Sequence, residues 1–510
     1  MMYEPKKSDS PVVATKSANN AARAAAESME PRGEAKRNTG QQNARRTQSR
    51  GSVSSALERV RQAAQANRTC RFSALLHHVN TDLLRDAYHA LKRDAAPGVD
   101  GVTWDAYREN LDERLVDLCA RVHRGAYRAQ PSRRRNIPKA DGRLRPLGIA
   151  ALEDKIVQRA VVEVLNAIYE PDFLGFSYGF RPGRRQHDAL DALAYGIKWQ
   201  RVRWILDADI RSFFDTVNHD WLMRFLEHRI GDQRILRLIR KWLKAGVMED
   251  GLVTMPSSGT PQGAVISPLL ANVYLHYAFD LWAHGWRRRR AKQKVIIVRY
   301  ADDIVVGMQH DDDAQAFLSQ MRERLAKFSL LLHAEKTRLI EFGRYAAEAR
   351  KRRGMGRPET FTFLGFTHIC GTDRKGRFLL TRKSRRDRMQ ATLRAIRAQL
   401  TLRMHHGIPA QGRWLAQVVR GYFAYHAVPT NASSLLTFRN RVTRLWLRTL
   451  RRRSQKSRTT WTRMVKLEEQ WLPPVRILHP WPEQRFEVKY SRQEPSAGKL
   501  HARICAGGAQ

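Results

Sequence analysis

The stretch VIIVRYADDIVV, residues 295–306, decides how the rest of this chain is read. Two apolar runs rich in β-branched residues flank a short polar break, the pattern of two strands joined in a tight hairpin. The adjacent carboxylates Asp302 and Asp303 fall at the bend. A charge set against a sheet core is costly unless something compensates it. Taken alone, an Asp-Asp pair also fits an ordinary solvated turn.

A second acidic stretch changes the balance. RWILDADI, residues 203–210, reads as a strand, and Asp207 and Asp209, two apart, share one face of it. If this strand neighbours the hairpin in one sheet, three or four carboxylates converge. Carboxylates that close raise each other's pKa. Divalent cations between them make the arrangement favourable, and an all-oxygen donor set selects a hard ion such as Mg²⁺. Two such ions about 3.5–4 Å apart can clamp the attacking and leaving oxygens of a phosphoryl transfer.

Composition supports a polyanionic partner. Lys and Arg number 92 against 49 Asp and Glu, a net charge of +43 in 510 residues. So large an excess repels itself, and nucleic acid is its natural counterpart, because each neutralised phosphate releases a counterion. The four cysteines, Cys70, Cys119, Cys370 and Cys505, form no CxxC pair, so neither a zinc site nor a disulfide framework is indicated. They suit a reducing compartment. No stretch is apolar enough to span a bilayer, and the N-terminus lacks the core of a secretory signal. A soluble, cytoplasmic protein with no membrane partner is expected.

The chain divides by composition. Residues 1–55 are poor in large apolar side chains and read as a disordered basic arm, with order starting near Leu57. Residues 56–375 mix helices and strands. RRRNIPKADGRLRPLGIA (133–150) is a hairpin turning at Asp141-Gly142, Asp220 to Leu243 is helical, and FTFLGF (361–366) is a short strand. Residues 376–470 form an all-helical basic domain, in which Met389, Leu393, Ile396 and Leu400 recur at helical spacing and a further helix spans Ser434 to Leu450. Residues 471–510, rich in Pro and aromatics, are an extended tail.

Read in order, IPKADGRLRPLGIA, SYGFRPGRRQHDAL, DADIRSFFDTVNH, GTPQGAVISPLLANVYL, RYADDIVV, LHAEKTRLI and FTFLGF resemble the successive motif blocks of the group II intron-encoded reverse transcriptases. RGYFAYHAVPTNASSLLTFRNRVTRLWLRTLRRRSQK is similar to their maturase region, domain X, and ILHPWPEQRFEVKYSRQEPSAG to the tail of the subset that lacks an endonuclease. The resemblance runs from about Leu57 to the end. It implies an α+β right-hand polymerase, fingers and palm over 56–375, with an all-helical thumb and domain X over 376–470. The tail would contact target DNA, and no second-strand cleavage is expected.

The resemblance also assigns roles. Asp209 and Asp302 match the metal-binding aspartates and Asp303 a supporting carboxylate, with the Ile210 carbonyl a further ligand for two Mg²⁺ ions. Asp215 with His219 more often braces the loop after the strand. Lys139, Arg143 and Arg145 line the fingers hairpin and suit a triphosphate; a solvated basic hairpin is the alternative. Phe214 would close the pocket against a 2′-hydroxyl, although alone it reads as core. Gln262 and Gly263 would support the incoming nucleotide, and Lys336 its phosphates. Phe363, Leu364 and Gly365 match the primer grip, with a core-strand reading open for the first two. Arg385, Arg386, Arg394, Arg397, Arg451, Arg452 and Arg453 would meet RNA phosphates. The implied partners are group II intron RNA in a ribonucleoprotein, an RNA template, a DNA primer or target, and dNTPs. The rival readings are a non-catalytic splicing factor, a reverse transcriptase recruited for host defence or repair, and an RNA-dependent RNA polymerase, the last disfavoured by Phe214.

Overall fold

Strand β3 (Trp204–Asp209) lies between β7 (Asp303–Met308) and β8 (Arg338–Glu341), with β6 (Ile296–Tyr300) on the far side of β7, in an antiparallel sheet of order β6-β7-β3-β8. The computed structural model describes residues 43–138, 144–249, 252–254, 258–260, 263–453 and 459–485, with only the backbone for 43–54, 138 and 145.

This sheet is apolar on both faces, which is why its strands read as near-continuous hydrophobic runs. Leu206, Ala208, Ile297, Ile304 and Val306 face the largest core, built with helices such as Leu152–Tyr169, His219–Glu227, Gln233–Lys244 and Asp311–Ala326. Ile205, Ile296, Val298 and Val305 face a second core with Leu190, Leu193 and Ile197 of helix Gln186–Trp199 and with Phe361, Phe363 and Phe366.

A second sheet, order β2-β1-β4-β5, pairs β1 (Ser132–Pro138) with β2 (Leu144–Ile149), as the hairpin reading expects, and adds the short pair β4 (Val247–Glu249) and β5 (Leu252–Thr254). The third sheet is β9 (Phe361–Phe363), β10 (Phe366–Thr372) and β11 (Phe378–Ser384), in the order β11-β10-β9. FTFLGF is therefore strand, turn and strand rather than one strand. Leu364 (φ 46°) and Gly365 (φ 80°) make the reversal, and left-handed backbone at both positions ends β9 after three residues.

Three other local readings shift. The first described helix, Asn43–Ala66, begins ahead of Leu57. The helical stretch from Asp220 to Leu243 is two helices, parted at 228–232 where the Asp232 side chain accepts from the Arg234, Leu75 and Leu76 amides and so caps the second. The helical C-terminal part starts only after β11, and between the expected helices Arg386–Leu402 and Ala432–Arg451 runs a third, Ile408–His426, which opens on a Pro in its first turn. These three and helix Trp461–Trp471 share a core around Trp446, Phe438 and Tyr422.

The tail beyond Leu472 is not simply extended. His479 stacks on His187 (3.8 Å), Glu483 meets Lys198 (2.6 Å), and Arg485 pairs with the buried Asp191 (2.5 Å). The Leu478 amide donates to the Ala427 carbonyl (2.9 Å), so residues 478–485 tie helix Gln186–Trp199 to the end of helix Ile408–His426. Among the described residues no helix is long and apolar enough to cross a membrane.

Candidate active site

Strand alternation and register together assemble the carboxylates. In the antiparallel pairing of β3 with β7, Ile205 faces Gly307, Asp207 faces Val305 and Asp209 faces Asp303. Because side chains alternate, Ile205, Asp207 and Asp209 lie on one face, with Val305 and Asp303 beside them. The apolar part of that face is buried in the second core, and the acidic part begins where the apolar residues run out. Directly opposed like charges destabilise a strand pair.

Asp302 sits in the two-residue turn between β6 and β7, next to Ala301, whose φ is 55°. Two of these carboxylates, Asp303 and Asp207, feel the charges of their neighbours. Asp303 keeps contact with solvent yet lies amid dense protein; desolvation first, then the charges of Asp302, Asp209 and Asp207, drive its carboxyl well above the usual range. Burial also pushes Asp207 up to about 6, helped by Asp209 and opposed by Arg338 and Arg385.

Among the described residues, no three His, Cys, Asp or Glu side chains are already gathered as a metal cluster. The Lys336 ammonium instead holds Asp209 Oδ2 at 2.6 Å. Lys336 thus meets a carboxylate here rather than standing clear for a phosphate. The donor chemistry still fits a hard divalent cation: every candidate ligand is oxygen, and the group carries an excess of negative charge that a cation relieves.

The other expected residues fall around this face. Ile210 is buried and bridges to Leu332, while the Asp209 carbonyl accepts from the His333 amide (2.8 Å). Phe214 lies in the single turn Phe213–Thr216, half-buried, its ring 5.4 Å from that of Phe213, and its carbonyl accepts from the Thr260 amide (2.7 Å). His219 bonds the Gly259 carbonyl (2.6 Å), which braces the same loop, as expected for it. Gly263 (φ 107°) packs so tightly on β2 that a Cβ would meet the Gly148 carbonyl at 2.6 Å. Arg145 stands on β2 opposite Ile137. Lys139, Arg143 and Gln262 lie outside the described residues.

In the third sheet, Tyr425 Oη donates to the Leu364 carbonyl (2.8 Å) and the Arg385 amide to that of Gly365 (3.0 Å), so the FLG turn is clamped by the helices that follow. Phe363 is core. Arg386, Arg394 and Arg397 project from helix Arg386–Leu402 into solvent, whereas Arg385 is half-buried and bound to Asp387 (2.6 Å). Arg451 and Arg452 are exposed at the end of helix Ala432–Arg451, and Arg453 donates to the His406 carbonyl.

Reading by motif placed Arg388 only among the arginines of the basic helix and missed Arg338; their charges act on Asp303 and Asp207 respectively. Arg388 carried a usable signal, since it lies one helical turn after Arg385. It also missed Arg299, a cation inside an apolar strand, which is anomalous enough to have been singled out.

Residues 137–368 match the family described as Reverse transcriptase (RNA-dependent DNA polymerase). Protein YkfC of Escherichia coli K12 is 40% identical over 238 residues, covering 41% of this chain and 62% of that protein. The group II intron-encoded protein LtrA of Lactococcus lactis subsp. cremoris is 36% identical over 222 residues, 43% of this chain and 37% of its own length. Nuclear intron maturase 4, mitochondrial, of Arabidopsis thaliana is 25% identical over 212 residues, 40% of this chain and 25% of that protein. The chain thus spans less than two thirds of each relative's length. This match gives residues 137–368 the reverse transcriptase domain, a right-hand polymerase fold, and the β6-β7-β3-β8 sheet carrying the paired aspartates lies within it.

Proposed function

We propose that this chain, whose residues 137–368 match the reverse transcriptase family, is an RNA-directed DNA polymerase that also binds a group II intron RNA to promote splicing and retrohoming. The observation that carries the reading is the register of Asp209 against Asp303 beside the Asp302 turn, in a chain of charge +43.

Asp209, Asp302 and Asp303, with the Ile210 carbonyl, are the groups that would hold two Mg²⁺ ions. Bound there, the metal supplies positive charge for the attacking primer oxygen and for the departing pyrophosphate. The protein's own part is placement and electrostatics. Lys139, Arg143 and Arg145 receive the triphosphate of a dNTP, with Lys336 free to exchange Asp209 for a phosphate oxygen. Phe214 occupies the space a 2′-hydroxyl would need. Gln262 and Gly263 support the base pair being formed, and the turn at Phe363, Leu364 and Gly365 holds the primer end.

RNA is gripped elsewhere. Arg386, Arg394 and Arg397 on one helix, and Arg385, Arg451, Arg452 and Arg453 near helix ends, present cations to backbone phosphates while the apolar sides of those helices stay packed. The two activities are therefore separable. Asp302→Asn is expected to abolish primer extension with dNTPs on an RNA template and to leave intron splicing in vitro intact. Equal loss of both in a folded protein contradicts the assignment. Extension that survives the change points to a maturase whose acidic face is not its polymerase centre.

A further inference from the structure

Arg299 is fully buried one residue before the end of β6, and it spends all five of its N–H donors. Nε and Nη2 grip the two oxygens of Asp280 (2.7 and 2.6 Å), which is equally buried at the end of the π-helical turn His276–Asp280. Nη2 also donates to Ser177 Oγ (2.7 Å), and Nη1 to Asn272 Oδ1 (3.0 Å) and to the Ala301 carbonyl (3.0 Å). A buried ion pair alone would need only Asp280. The remaining donors go to Ser177 in a loop, to Asn272 in helix Ser267–Leu275, and to the turn that presents Asp302 and Asp303.

The loop completes the enclosure. The Arg299 amide donates to the Phe176 carbonyl (2.9 Å) and the Tyr178 amide to the Arg299 carbonyl (2.8 Å), so residues 176–178 run alongside β6. Asn272 Nδ2, whose amide oxygen serves Arg299, donates to the Gly179 carbonyl (2.7 Å). Gly179 lies backbone to backbone against the turn: a Cβ there would stand 2.3 Å from the Ala301 amide nitrogen and 2.9 Å from the Tyr300 carbonyl carbon. Gly179 does not itself need left-handed backbone; only the close approach requires it. Ala301, in contrast, is held left-handed, a strained conformation that persists where the surroundings over-determine it.

We propose that Arg299, oriented by Asp280, Asn272 and Ser177, is the positioning residue of the catalytic turn, and that Gly179 is the contact through which the preceding loop fixes where Asp302 stands. This rests on the polymerase reading. A π-turn is a costly irregularity in a helix that tends to mark functional sites, and here it ends on the carboxylate that orients Arg299. Asp280, Asn272, Ser177 and Gly179 never touch substrate; they act through the turn.

The test uses Gly179→Ala and Ser177→Ala in the full chain. The first pushes directly on the turn, and the second removes one bond to Arg299 while Asp280 keeps its partner. Three quantities are measured: amide hydrogen exchange over residues 299–304, kcat and KM for dNTP in primer extension, and affinity for intron RNA. Exchange at the turn is expected to rise in both variants. Since misplacement by an ångström can cost about 100-fold, kcat should fall about 10- to 100-fold in Gly179→Ala and less in Ser177→Ala. KM and RNA affinity should stay close to wild type. Faster exchange with unchanged kcat overturns the proposal, as does unchanged exchange, or a loss of kcat matched by equal loss of RNA binding. A wild-type chain that extends no primer refutes the polymerase reading instead, and the exchange measurement still decides whether the brace exists.

Discussion

Replacing Asp207 with Asn should stabilise this protein at neutral pH. Asp207 is largely buried, its side chain 20% exposed, and the Arg338 guanidinium stands 3.9 Å away. Burial, with the charge of Asp209 two residues on, raises its carboxyl from 3.8 to about 6. A carboxyl that holds its proton more tightly when folded favours the native state most below its unfolded value. That advantage is lost as pH rises through the folded value. At pH 7.5 the full penalty is present: roughly two units at 1.36 kcal/mol each, about 3 kcal/mol at most, and about 1–3 kcal/mol once residual solvent contact is allowed for. Asn keeps the shape and removes the charge. With about 2–4 °C per kcal/mol for a domain of 150–250 residues, the variant should melt several degrees higher at pH 7.5 in EDTA. Calorimetry at pH 4.5 and 7.5 checks this, because the advantage must shrink on acidification. A variant that melts below wild type at pH 7.5, or whose advantage grows in acid, refutes the electrostatic account of this face.

Two other outcomes follow from named contacts. Phe214→Ala should lower the preference for dNTP over rNTP by on the order of 10-fold or more, the scale of losing a well-fitted apolar contact, as read from paired kcat/KM values; unchanged discrimination removes Phe214 from the sugar pocket. Arg485→Ala should destabilise the fold by about 1–3 kcal/mol, since Asp191 loses one cation but keeps Arg382 at 2.7 Å. An unaltered melting temperature together with unaltered protease resistance would mean that residues 478–485 do not tie helix Gln186–Trp199 to helix Ile408–His426.

Much of the site was legible before any coordinates. The β-branched runs around Asp302 and Asp303 specified a hairpin, and the spacing of Asp207 and Asp209 placed both on one face. Strand periodicity is local and survives in any context that buries the strand. The helices around Met389 and Leu435 were legible for the same reason. Where the reading slipped, a single residue overrode a pattern: Leu364 and Gly365 reversed what looked like one strand, and Asp232 capped what looked like the middle of one helix.

By itself the sequence determined the basic character of the chain, the alternation of its strands and the presence of acidic pairs, because those properties are carried by neighbouring residues. Only the tertiary structure decided that Asp209 stands opposite Asp303, that Lys336 covers Asp209, that Arg485 reaches Asp191, and that Arg299 gathers Ser177, Asn272, Asp280 and Ala301 around one guanidinium. Register between strands distant in the chain is set by how whole faces bury against two cores. A buried cation finds its partners only when that burial has brought them within hydrogen-bond reach.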